Sequence, residues 1–195
     1  MLSAPIQSLL ILLVVIAFYA IDVFAFRRYD KQRKAEGRGR AWDFTLLALV
    51  ACALLVVRPL LLPRLGWRTE ASWGLIIQGA GILLAAASLA LNAWGRAHLR
   101  QFYAERVEVQ PGHRVVTTGP YAWVRHPIIT SFFGLIIGLF LIDPAVTTLL
   151  GMVYTFWDFG RAARQEEKLL AETLPEYRDY MNRTPRFLPR LWRRK

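Results

Sequence analysis

Two short stretches of this 195-residue chain hold side chains that can do chemistry. The first, Thr117 to Pro127 (TTGPYAWVRHP), sets Tyr121, Arg125 and His126 beside a Gly-Pro turn and a second proline. Arg125 and His126 are donors for an anion. Pro127 suits the first turn of a helix, whose unpaired N–H groups also favour negative charge. The second stretch, Arg161 to Leu170 (RAARQEEKLL), carries Arg161 and Arg164 and then the pair Glu166 and Glu167. A guanidinium matches a carboxylate or phosphate through two parallel hydrogen bonds. Adjacent carboxylates stand about 100° apart on a helix, so one can meet a ligand while the other orients a partner. Plainer roles exist for each group. Arg125, His126, Arg161 and Arg164 can anchor helices to headgroups, Tyr121 can join Trp123 in an interfacial belt, and the Glu pair can lie on a solvated helical face.

The elements that must position these residues read as membrane helices. Hydrophobic residues make up 55% of the chain and its mean hydropathy is +0.30, yet its formal net charge is +11. Apolar runs separated by basic loops are the pattern of a polytopic membrane protein. Ile6 to Phe26 is long enough to cross a hydrocarbon core of roughly 30 Å. No basic residue precedes it, so it is expected to stay as a first span and not to be cleaved as a signal. Trp42 to Pro63 forms a second span, with Arg58 near its far end placed to snorkel. Trp73 to Gly95 is rich in Gly, Ala and Ser (Gly79, Gly81, Ala85, Ala86, Ala87, Ser88), which predicts an interior helix. Phe102 to Val109 is too charged to span, and Pro111-Gly112 marks a turn after it. Ile128 to Trp157 is broken once, by Asp143-Pro144, which predicts a helical hairpin. A separate helix, Arg161 to Thr173, and a proline-punctuated tail complete the chain. The predicted fold is therefore all-α, with five transmembrane helices, the fourth and fifth forming the hairpin, and a cytoplasmic C-terminal helix. It is a single membrane domain, with spans in residues 1–95 and the chemistry-bearing region in 96–195.

Charge sets the orientation. Arg27 to Arg40 holds seven basic residues, Arg96 to Arg125 five and Arg161 to Lys195 ten, against only Arg58, Arg64 and Arg68 on the other side. The positive-inside rule then puts the N-terminus outside and both polar stretches in the cytoplasm. The same clustering of basic residues in loops argues against a nucleic-acid partner. The single cysteine, Cys52, permits no intrachain disulfide, and three histidines with one cysteine argue against a metal site.

The order VVTTGPYAWVRHP, hairpin, EEKLL, EYRDY and PRFLP resembles the isoprenylcysteine carboxyl methyltransferase and phospholipid methyltransferase family over roughly His113 to Pro189. The resemblance implies an integral membrane methyltransferase that uses S-adenosylmethionine. By position it implies cofactor contacts at His113, Val115, Val116, Tyr121, Arg125, His126, Pro127, Glu166 and Glu167, and an arginine, Arg161 or Arg164, that meets the acceptor. A lipophilic or prenylated acceptor, reaching the site from membrane lipid, is implied too. The best match is to protein-S-isoprenylcysteine O-methyltransferases, with phospholipid or thiol methyl transfer as alternatives. An NADPH-dependent membrane reductase and a non-catalytic membrane protein are readings of a different class. Ile129 and Ser131 depart from the family's usual Tyr and frequent Gly, which bears on the choice of acceptor.

Overall fold

The computed structural model describes residues 1–29, 42–67, 73–99 and 115–189, and among these it contains six α-helices and no strand, only an isolated bridge between Gly66 and Ala145. In chain order the helices are α1 (Ala4–Tyr29), α2 (Trp42–Leu61), α3 (Trp73–Leu99), α4 (Pro127–Ile142), α5 (Val146–Thr173) and α6 (Pro175–Arg183). The loop from residue 30, Arg68, the stretch Phe102 to Val109, the Pro111-Gly112 turn and His113 lie outside the described residues. Ala4–Ala25 and Trp73–Leu99 are long and apolar enough to cross a membrane, while Cys52–Leu61 and Pro127–Ile142 are shorter apolar helices.

The Asp143-Pro144 break makes the expected hairpin, ending α4 at Ile142 and starting α5 at Val146. Two expectations are corrected. Arg161 to Thr173 is no separate helix, because no proline follows Pro144 until Pro175 and α5 runs on unbroken for 28 residues. The tail also contains a helix, α6, which opens on Pro175 at a position where a missing N–H costs nothing.

Polarity is inverted relative to a water-soluble bundle. Gln7, Ser8, Asp22, Gln78, Asn92, Arg96 and Ser131 are buried, while Leu9, Leu13, Ile16, Ile76, Leu83, Leu150 and Val153 are exposed. In lipid, apolar side chains gain nothing by turning inward, and polar ones must find partners among themselves. Two of them show this: Gln78 donates to the Ile142 carbonyl at 2.7 Å, and Asn92 donates to Ser131 Oγ at 2.8 Å.

Helix α3 is not wholly interior, as its small-residue content suggests, but two-faced. Gly74, Gln78, Gly81, Ala85, Ser88, Asn92 and Gly95 recur every three or four positions and form the buried stripe. Leu75, Ile76 and Leu83 face outward. Along the stripe α3 meets α4 backbone to backbone, since a Cβ on Gly81 would stand 2.8 Å from the Gly138 carbonyl oxygen. Of the other small residues, Ala86 and Ala87 are exposed and a Cβ on Gly79 would meet nothing.

The hairpin turn is fixed by a buried ion pair. Arg58 does not snorkel outward but turns in to Asp143, both side chains being 4% exposed. Gly66 makes the room, for a Cβ there would strike the Arg58 guanidinium. Trp67 N–H donates to the Pro144 carbonyl at 2.8 Å, tying the α2–α3 connection to the same turn. Arg58→Met should cost roughly 3–5 kcal/mol by leaving Asp143 buried without its partner, whereas adding Asp143→Leu should restore most of the loss. Unfolding of both variants in detergent measures the difference.

Candidate functional site: an ionic knot at one end of the bundle

The site lies at the end of the bundle away from the hairpin turn, where α4 begins and α5 runs out. Thr118 leads into a tight turn, Gly119–Ala122, in which Gly119 has φ +60. A side chain is strained in that left-handed conformation, and a Cβ there would also strike the His98 ring. The turn buries Tyr121 and hands the chain to Arg125 and to His126, the N-cap of α4, with Pro127 at its first position.

Glu167 is the centre. On α5 the residues Gly160, Ala163, Glu167 and Leu170 form the buried face, so the helical repeat carries Glu167 inward and leaves its neighbour Glu166 at the edge. The Glu167 carboxylate is 3% exposed and accepts from Arg125 Nε at 2.9 Å and from Arg186 Nε at 3.0 Å and Nη2 at 2.5 Å. His126 Nε2 stands 3.1 Å from its Oε1. An ionised carboxylate only accepts, so Nε2 carries the proton and Nδ1 turns toward Glu166, 3.5 Å from Oε2. Burial pushes the Glu167 carboxyl up, but bonds from His126, Arg186 and Arg125 outweigh it and bring it down to about 2. Glu166 is the opposite case. Its side chain is 43% exposed, yet desolvation, reinforced by Glu167 and opposed by His126, raises its pKa.

Arg125 is consumed by structure. Besides Glu167 it donates through Nη1 to the carbonyls of Met181 at 2.8 Å and Thr184 at 2.5 Å. The tail after α6 is laid across the start of α4 like a strand, with Arg125 N–H donating to the Pro185 carbonyl at 2.8 Å and His126 N–H to that of Arg186 at 3.1 Å. Thr130 Oγ1 donates to the Phe187 carbonyl at 3.0 Å. Tyr180 donates its hydroxyl to the Tyr121 carbonyl at 2.6 Å, and Val115 packs on the cluster of Leu170, Tyr177 and Tyr180.

The structure therefore brings Arg125, His126, Pro127, Glu166 and Glu167 together, with Tyr121, Val115 and half-buried Val116 around them. Arg161 and Arg164 sit apart on the exposed side of α5, Arg161 over the Trp157 ring at 5.5 Å. Arg186 was missed as a site residue, although the PRFLP motif that contains it was the available signal. Also unanticipated is a buried chain of contacts behind α4. Ser131 Oγ donates to the Ile128 carbonyl at 2.6 Å and accepts from Asn92, whose Oδ1 accepts from Arg96 Nε at 2.8 Å. Arg96 in turn pairs with Asp22 at 2.9 Å.

A carboxyl held below its ordinary value of 4.5 stabilises the fold fully above that value and loses its contribution as pH falls toward its folded pKa. Stability should therefore drop between pH 4.5 and about 2 as Glu167 takes up its proton. Glu167→Gln should be less stable at neutral pH and show a shallower loss across that window in denaturant titrations.

Known proteins resemble this chain in sequence and in fold. Residues 80–172 match the model of the isoprenylcysteine carboxyl methyltransferase (ICMT) family. The nickel-cobalt-cadmium resistance protein NccN of Alcaligenes xylosoxydans xylosoxydans is 38% identical over 79 residues, 40% of this chain and 37% of that protein. The protein-S-isoprenylcysteine O-methyltransferase of Mus musculus is 40% identical over 83 residues, 40% of this chain and 28% of the relative. The chain thus spans well under half the length of these curated relatives. A solved structure of the eukaryotic intramembrane Ras methyltransferase ICMT superposes with a TM-score of 0.61 at 19% identity, covering 92% of this chain and 67% of that one. That likeness establishes an ICMT-like membrane fold. Residues 80–172, just under half of the chain, thus resemble the isoprenylcysteine carboxyl methyltransferase family in sequence, and the fold is ICMT-like.

Proposed function

We propose that the protein transfers a methyl group from S-adenosylmethionine to a lipophilic acceptor at the cytoplasmic face of a membrane, in the manner of a protein-S-isoprenylcysteine O-methyltransferase. The observation that carries this reading is the split between two adjacent acids. Glu167 is saturated by Arg125, His126 and Arg186, while Glu166, raised by burial, has its carboxylate at the open edge beside His126. A carboxylate at an open edge, partly kept from water, is placed to receive an arriving cation. The residues fit the cofactor in that sense: Glu166 would take its amino group, half-exposed Arg186 would meet its carboxylate, and Val115 and Val116 would offer apolar surface. When bound, the cofactor supplies an electrophilic methyl on a sulfonium sulfur.

The protein's own work is to hold, orient and keep water out, the source of proximity gains of several kcal/mol. A carboxylate acceptor needs no base. An amine or thiol acceptor must lose a proton, and Glu166 or His126 Nδ1 can take it, whereas Glu167, held near 2, is too weak a base. Arg164 is assigned to the acceptor's anionic group, because Arg161 is already engaged with Trp157 where an interfacial anchor belongs.

In this proposal α2, α4 and α5 join α1 and α3 as five spans, with the N-terminus outside. Leu2, Arg58 and Asp143 then mark the outer end and Asp22, Arg96 and the Glu167 knot the inner one. The excess of Lys and Arg in the sequence segments assigned to the cytoplasmic side supports this orientation. Calorimetry on folded, detergent-solubilised protein should detect S-adenosylmethionine and not NADPH. Glu166→Gln should weaken cofactor binding about tenfold or more, the worth of one charge-assisted contact, with little change in stability. No binding at high micromolar concentration would sink the reading.

A further inference from the structure

Helix α3 backs the segment that leads into the ionic knot. A Cβ on Gly134 would strike Ser88 Oγ, Asn92 Nδ2 donates to Ser131 Oγ at 2.8 Å, and a Cβ on Gly95 would stand 2.9 Å from Ile128 Cγ1. The same helix puts the His98 ring against Gly119, in the turn before Arg125 and His126. Contacts thus step along α3 in antiparallel register with α4, and the hydrogen bond from Asn92 falls near the start of α4.

Close packing alone would pair these helices, since Gly81 and Gly138 already bring their backbones together. The polar link is a costlier device. Asn92, Arg96 and Ser131 are 2%, 3% and 2% exposed and Asp22 on α1 is 7% exposed, so an amide, a hydroxyl and a charged pair are all buried. Apolar side chains of similar volume would hold a bundle at least as well. What they would not supply is direction, because close contact fixes a distance whereas a hydrogen bond also fixes an angle.

The direction of every bond in this chain follows from Arg96. Its Nη1 pairs with Asp22 at 2.9 Å and its Nε donates at 2.8 Å to Asn92. A guanidinium only donates, so it must meet the amide oxygen, and the amide nitrogen then faces Ser131. The Ser131 proton is left for the Ile128 carbonyl, at 2.6 Å. Ser131 stands only about 7 Å along α4 from His126. Between them Thr130 Oγ1 donates to the His126 carbonyl at 2.9 Å, tying the backbone of the cap to the same turn.

We propose that Asp22, Arg96 and Asn92 are positioning residues for the cofactor site: through Ser131 they set the start of α4 and so keep the Nδ1 edge of His126 aimed at Glu166. This rests on the methyltransferase reading and adds to it three residues of α1 and α3 that lie outside the ionic knot. Ser131 stands where the family frequently has Gly, so the link belongs to this chain's own sequence.

Replacing the charged pair by apolar residues, Asp22→Leu with Arg96→Met, separates positioning from support, because such an exchange commonly keeps or raises stability. The readout is the ring-nitrogen NMR spectrum of isotope-labelled histidine in folded, detergent-solubilised protein at mildly alkaline pH. The His126 signals are assigned by their loss in His126→Asn. The wild type should show one His126 tautomer, protonated at Nε2, whereas the pair variant and Ser131→Ala should show a mixture of two. Ser131→Thr, which keeps the hydroxyl, should restore the single tautomer. S-adenosylmethionine affinity should fall about threefold or more in the pair variant and in Ser131→Ala, the reach of a change that acts through a network and not on the ligand. Arg58→Met with Asp143→Leu removes an ion pair at the other end of the bundle and should leave both readouts as in the wild type. A single wild-type tautomer in Ser131→Ala overturns the proposal, whatever the affinity, as does an equal mixing of tautomers in the Arg58 and Asp143 control. If the pair variant does not fold, Ser131→Ala decides alone. A wild type that binds no S-adenosylmethionine sinks the methyltransferase reading, while the tautomer still judges the link to His126.

Discussion

A buried carboxylate with nothing to hold it would be among the most costly groups in this bundle, and Glu167 is tolerated because three side chains from two distant segments surround it. Arg125 and His126 come from the turn before α4, and Arg186 comes from the tail, far along the chain. The requirement works in reverse as well. Because the carboxylate must be satisfied, the start of α4, the end of α5 and the tail strap have to converge on one point. Arg125 then extends the constraint by binding carbonyls that end α6, so the short helix is docked by the same charge. Removing one partner exposes the others' burial cost, which is why such a cluster specifies an arrangement more than it adds net stability.

The bundle between its two ends is built on contact rather than on hydrophobic burial. Gly81 and Gly138 let α3 and α4 touch at the backbone, and Asn92 and Ser131 bond across the same seam. At one end of the bundle Arg58 and Asp143 close the hairpin, and toward the other Asp22 and Arg96 link α1 to α3. Each ion pair joins elements separated by long stretches of chain. Helices whose outward faces are equally at home in lipid need such pins to choose neighbours and register.

Much of this was legible because it depends on residue types that act locally. Asp143-Pro144 stops a helix wherever it occurs, and RHP before an apolar run announces a helix start with polar groups in front of it. What sequence left open were properties of pairing. Arg58 read as a snorkelling residue because its partner stands 85 positions later, and the acid at 143 looked like part of a turn. The helical continuity through Gly160 was missed because the change from apolar to charged residues at Arg161 looks like a boundary, although backbone geometry does not respond to polarity. Arg186 sat in a recognised motif but gave no sign of its target. The two glutamates could be separated only by knowing which face of α5 turns inward.

Ser131 shows how a departure from a family pattern is accommodated. A hydroxymethyl group replacing hydrogen at a tight helix contact would bring an unsatisfied polar group into an apolar seam. Here the Ile128 carbonyl accepts its proton and Asn92 donates to its oxygen, and Asn92 is itself oriented by Arg96 and Asp22. The first turn of α4 is thus held from behind by this chain of contacts and from in front by Glu167. Two independent restraints on one turn leave His126 little freedom, so its Nδ1 edge stays aimed at Glu166, the acid the knot leaves unsaturated. Ile129 has no such partner to explain it. It stands half-buried on the same turn, an apolar side chain where the family more often places a hydroxyl.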